Sequence, residues 1–117
     1  MLRKYIRYLM IVVEASSIPL LILILLMILS GYGILYPDKI RMLTGGLISD
    51  RIAFKIHTDM AIRISIIAIL LIHGFTGLLL LSEKYIRNNL MKKIIILCIT
   101  VVLVFLLMIP ILLDLVR

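Results

Sequence analysis

The stretch Lys55–Gly77, KIHTDMAIRISIIAILLIHGFTG, is apolar enough to sit in lipid, yet it carries His57, Asp59, Arg63 and His73. Ionisable side chains in an apolar helix are costly, and where they persist they pair, handle protons or hold a ligand. Asp59 and Arg63 stand four residues apart, the spacing of an ion pair on one helical face. The sharper use of Arg63 is to bind a cofactor propionate or a quinone oxygen. His73 stands in the middle of the apolar run 64–81 and needs partners for two ring nitrogens. A hydrogen bond to a neighbouring helix would supply one. An axial bond to haem iron, or a proton-handling role beside a quinone, is the chemical alternative. His57 lies nearer the outer end of the run, at a depth where a polar tip reaches headgroups.

Glu14, beside Ser16 and Ser17, lies about 9 Å into the first apolar run, and His73 lies about 13 Å from the same surface. These depths allow a Glu14–His73 contact, a satisfied polar pair at least and one end of a proton path at most. His57 and His73 are separated by about 24 Å of helical rise, which suits haems near opposite faces of a membrane. Their rotation is less favourable, about 160° apart on a straight helix, unless a bulge or kink intervenes. One helix also gives each haem only one ligand. The other must be a methionine (Met10, Met27 or Met60) or a residue of another chain, because there is no third histidine. A bis-histidine site therefore needs a second copy. Ile62, Ile66, Ile69 and Gly77 share the face of His73, with Thr76 at its edge. Gly74 and Gly77 are small enough for a helix or a flat ring to approach closely. Copper held by His57 and Met60 would be a poor site, with one ligand of each kind.

The elements that must position these residues are read from composition. The chain has 117 residues, so one domain is expected. It is 64% hydrophobic, with a mean hydropathy of +1.27, more than a particle this small can hide from water. The expected fold is all-α and integral to the membrane, with three transmembrane helices over about 8–29, 53–81 and 94–113. The net charge of +7 flanks the apolar runs, the pattern of topology signals and lipid-headgroup contacts and not of a nucleic-acid surface. Arg3, Lys4 and Arg7 share a side with Lys84, Arg87, Lys92 and Lys93, against Lys39, Arg41, Arg51, Lys55 and Arg117. This bias places the N-terminus inside and the C-terminus outside. The first run is too long for a signal peptide and no A-x-A-like site closes it, so it is read as a retained anchor. Pro19 and Pro110 should kink their helices. Cys98, the only cysteine, is expected to be a small core residue. Tyr5, Tyr8, Tyr32, Tyr36 and Tyr85 lie near run ends, as an aromatic belt would. The connection 35–51 carries turn chemistry at Tyr36-Pro37-Asp38 and Thr44-Gly45-Gly46, with KIRML between as a short amphipathic turn and Ser49 or Asp50 as a cap.

With Ser30-Gly31, Pro37, Gly45-Gly46, His57 and His73 in this order, the chain resembles the small transmembrane cytochrome b superfamily over roughly 29–79. In that family a first helix ends in Ser-Gly, an outer loop carries Pro and Gly, and the next helix opens with one histidine and carries another near its inner end. The family's usual histidine on the first helix is absent here, and the spacing in the second is longer than the common one. A second resemblance is to the three-helix membrane anchors of succinate dehydrogenase and fumarate reductase, on His73, Gly77, Glu83 and Tyr85. It implies a b haem held by His73 and a partner chain's histidine, with Tyr85 near a quinone. Glu83 is one residue from that family's acidic position.

Both resemblances imply a subunit of a respiratory electron-transfer complex in the cytoplasmic membrane of a prokaryote, binding haem b and in some members quinone. It would work with other membrane subunits or a docked redox protein, having no room for a soluble catalytic domain of its own. The contrasting expectation is a non-redox accessory subunit that stabilises a larger membrane assembly, with histidines that only bridge helices. A transporter is disfavoured by the lack of inverted repeats. A homo-oligomer remains open.

Overall fold

The computed structural model describes residues 2–116, all of whose regular structure is helical. Five helices follow one another: α1 (Leu2–Leu35), α2 (Pro37–Leu43), α3 (Asp50–Thr58), α4 (Met60–Tyr85) and α5 (Asn89–Val116). Three of them, α1, α4 and α5, are long and apolar enough to cross a membrane. None of the most apolar stretch of α5 is buried within the chain. A helix that is apolar all round and uncovered needs lipid or another protein as its solvent. The chain is thus consistent with an integral membrane protein. Arg117, counted in the orientation argument, lies outside the described residues.

The first helix runs past Ser30-Gly31 to Leu35, longer than the span expected from composition. Pro19 and Pro110 both sit inside unbroken helices. The connection after α1 is not bare loop. Pro37 opens α2 at a position where its missing N–H costs nothing, and Asp38 lies in its positive first turn. The helix closes on Gly45 (φ 62°) and Gly46 (φ 87°), left-handed positions that glycine takes without strain, and Gly46 N–H reaches the Arg41 carbonyl at 2.7 Å. Ser49 then caps α3, its hydroxyl accepting from Ile52 N–H at 3.4 Å.

The second apolar run is broken. Asp59 adopts an extended backbone (φ −66°, ψ 121°), ending α3, and its carboxylate accepts from Ile62 N–H at 3.0 Å. Asp59 is therefore the N-cap of α4. The apolar pattern continues across this break, which is why the run reads as one span.

The chain forms two compact bodies: residues 1–18 with 67–117, and residues 19–66. In the second body, α1 meets α3 at Gly33. A Cβ built on Gly33 would lie 2.6 Å from the Ala53 Cβ, and Ala53 is wholly buried. Only glycine permits that approach. In the first body, Ile67, Thr76 and Ser82 are the buried residues of α4. The turn into α5 is held by Asn88, whose side-chain oxygen accepts from Leu90 N–H (2.9 Å) and Met91 N–H (3.3 Å). It is also held by a Lys92–Glu83 salt bridge at 2.9 Å. Cys98, expected in a core, is exposed on α5, because α5 has no covered face at that position.

Candidate functional site

Each body holds one histidine, and each histidine meets a serine of α1. In the second body the Gly33–Ala53 contact sets the register. One turn along each helix from it, Ser30 Oγ lies 3.1 Å from His57 Nδ1. Gly31 completes the seat: a Cβ there would lie 3.4 Å from His57 Cε1. Ser30 is buried and His57 is half-buried. In the first body, Ser16 Oγ lies 3.0 Å from His73 Nδ1, with both residues half-buried.

One tautomer of each histidine satisfies both contacts of its serine at once. A hydroxyl has one proton. Ser16 gives it to the Val13 carbonyl at 3.1 Å, and Ser30 gives it to the Met27 carbonyl at 3.0 Å. With the hydroxyl proton so placed each oxygen is left to accept, and the matching tautomer is the one in which the histidine donates through Nδ1–H. Neutral imidazole then carries its lone pair on Nε2. This is the arrangement that prepares an imidazole for a metal: one nitrogen anchored by a hydrogen bond, the other basic and oriented. Neither Nε2 has a hydrogen-bond partner among the described residues.

His57 opens onto a cavity of about 490 Å³, lined also by Met27, Ile28, Gly31, Tyr32 and Leu35. Of the three candidate methionines, Met27 is the one that shares a cavity with a histidine. Met10 instead lines a cavity with Glu83 and Lys84, and Met60 is exposed just beyond the Asp59 break. Among the described residues, no three of His, Cys, Asp and Glu come together as a metal cluster.

The other sequence candidates are placed as follows. Glu14 is exposed, and His73 takes Ser16 as its partner instead. The reason is helical phase. Two residues along a helix is a rotation of about 200°, so Glu14 and Ser16 occupy nearly opposite faces. Gly77 does not lie against the imidazole: a Cβ at Gly77 or Gly74 would meet nothing within 4 Å. Arg63 bonds through Nη1 to the Thr58 carbonyl at 2.9 Å, bracing the break before α4. Glu83 is taken up by Lys92, and Tyr85 is exposed with the Lys84 ammonium 5.2 Å from its ring centre. Glu14, Glu83 and Tyr85 therefore do not share a site. Sequence reasoning missed the pairing of each serine with a histidine, and the seat at Gly31 and Gly33. The signals were present as Ser16-Ser17 and Ser30-Gly31-Tyr32-Gly33, small residues in an otherwise large-residue helix.

Comparisons of the chain with protein-family models, with curated proteins and with solved structures return no match.

Proposed function

We propose that this chain is a small membrane subunit of an electron-transfer complex, with its N-terminus inside and its C-terminus outside. Its histidines would offer Nε2 to b-type haem. The observation that carries this reading is the pair of Nδ1–Oγ contacts, at 3.0 Å for His73 and 3.1 Å for His57, which leave both Nε2 atoms without a partner among the described residues. A bound haem would supply reversible one-electron chemistry at its iron. His57 and His73 are the residues that would hold it through Nε2, oriented by Ser30 and Ser16. Gly31 keeps the side of the His57 ring clear, and Met27 is the thioether in the same cavity. Met10, in the body of His73, lines a cavity with Glu83 and Lys84 instead, so a neighbouring subunit or a second copy would complete the His73 site. Quinone is a natural electron partner for such a subunit.

A second reading is favoured by the same hydrogen bonds. A serine–histidine bridge is also sufficient to lock two apolar helices in register. On that reading the chain is a packing subunit of a larger assembly.

A dithionite-reduced minus oxidised spectrum of the purified protein, alone and with co-purifying partners, separates the two. The haem reading expects a b-type α-band that falls in His73→Ala and in His57→Ala while both variants stay in the membrane. Haem-free protein in both preparations overturns it and leaves the packing reading.

A further inference from the structure

One end of the first body gathers cations around an apolar groove. The groove, about 350 Å³, is lined by Ile6 and Met10 of α1 and by Leu80, Leu81, Glu83 and Lys84 of α4. Ile6 and Met10 lie near the start of α1 and the other four near the end of α4, so both helices pass from apolar to charged residues toward the same end. Residues 3, 6 and 10 stand at i, i+3 and i+7 on one helical face, which puts Arg3 one turn outward from Ile6. The acid of the groove is already neutralised, since Glu83 is held by Lys92 at 2.9 Å. Arg3 and Lys84 are exposed, and among the described residues neither has an ion-pair partner. The Lys84 ammonium stands only over the Tyr85 ring, 5.2 Å from its centre. The groove thus has a positive mouth and an apolar floor, along which Met10 and Leu81 are about half exposed.

We propose that this groove binds one anionic phospholipid, with its phosphodiester headgroup between Arg3 and Lys84 and one acyl chain along Ile6, Met10, Leu80 and Leu81. Charge complementarity selects the headgroup. With Glu83 and Lys92 neutral as a pair, the mouth keeps two unmatched positive charges. A phosphate with no amine of its own meets both, whereas a choline headgroup would bring a third cation beside them. The graded lining selects a lipid over a free phosphate, because four apolar side chains offer nothing to an ion and match a hydrocarbon chain. Neither histidine lines the groove, so the site stands whether or not haem is bound, and a haem-free preparation tests it equally well.

The test uses the full chain in a neutral maltoside detergent, titrated with dioleoyl phosphatidylglycerol or dioleoyl phosphatidylcholine, with bound lipid counted by native mass spectrometry. We expect the first phosphatidylglycerol to bind about tenfold more tightly than phosphatidylcholine. Lys84→Gln and Arg3→Gln should each weaken it about fivefold, the worth of one cation beside an anionic headgroup. Arg87→Gln and Lys93→Gln remove the same charge from the same end but outside the groove, and should change it by less than about twofold. Met10→Trp should remove the bound lipid by filling the groove. Glycerol 3-phosphate, a headgroup without chains, should not displace the lipid at about ten times its concentration. Arg3 and Lys84 are exposed, so their variants keep the packing of the helices, and circular dichroism checks that each variant retains its helix content. Equal binding of the two lipids, or an equal loss in Arg87→Gln and Lys84→Gln, overturns the proposal. Displacement by glycerol 3-phosphate overturns the lipid assignment and makes the mouth a phosphate site.

Discussion

Replacing Gly33 by alanine tests the packing that seats His57. The new methyl would lie 2.6 Å from the Ala53 methyl, about 1 Å inside ordinary contact. Overpacking of this kind costs about 1–3 kcal/mol. Alanine regains about 1 kcal/mol of helix propensity over glycine, so Gly33→Ala should destabilise by about 0–2 kcal/mol. Ala53→Gly alone loses about 1 kcal/mol of propensity and about 0.8 kcal/mol for a buried methyl. In the double variant the propensity terms cancel and one methyl remains at the contact, now borne by the other helix. The double variant should therefore be within about 1 kcal/mol of wild type, more stable than the sum of the singles by about 1–3 kcal/mol. Reversible unfolding in mixed micelles of increasing dodecyl sulfate fraction, followed by circular dichroism, measures all four corners of the cycle. Additive singles, with no coupling beyond about 0.5 kcal/mol, would refute direct contact between these positions.

Nitrogen NMR of ¹⁵N-histidine protein should show both rings as the Nδ1–H tautomer. Ser16→Ala should release only His73 and Ser30→Ala only His57, each at a cost of about 1 kcal/mol in the same unfolding assay. Asp59→Ala removes the cap of α4 and should cost about 0.5–2 kcal/mol, whereas Asp59→Asn should cost much less. Glu83→Gln breaks a partly exposed ion pair and should cost less than about 1 kcal/mol, as read by thermal unfolding. Gly77→Ala meets open space and should be neutral or stabilising by up to about 1 kcal/mol in the isolated chain. A loss of assembly in that variant, with no loss of chain stability, would locate a partner at this face.

The three long helices were legible because an apolar run of span length has few other uses. Their ends were less so: α1 continues through Ser30, Gly31 and Gly33, residues that read as a stop, because their smallness serves a close approach by α3. Asp59 was legible as a charged residue seeking a partner and not as a cap, since the apolar residues on either side continue without a turn signal. The two histidines stood out as costly residues in an apolar run. Their partners did not, because a carboxylate at Glu14 is chemically the more eager neighbour and only helical phase excludes it.

That phase argument also accounts for the break at Asp59. On one straight helix the two histidines would point about 160° apart and could not both address the same neighbour. With the helix interrupted between them, His57 belongs to α3 and His73 to α4, and the phase of one no longer dictates the phase of the other. Each then meets a serine of α1 within its own body. A capping aspartate, an arginine bound to the last carbonyl of α3 and a glycine that admits Ala53 are together what this requires. The residues that first read as an ion pair in lipid are, on this geometry, the joint between the helix that carries His57 and the helix that carries His73, each of which brings its Nδ1 to a serine of α1.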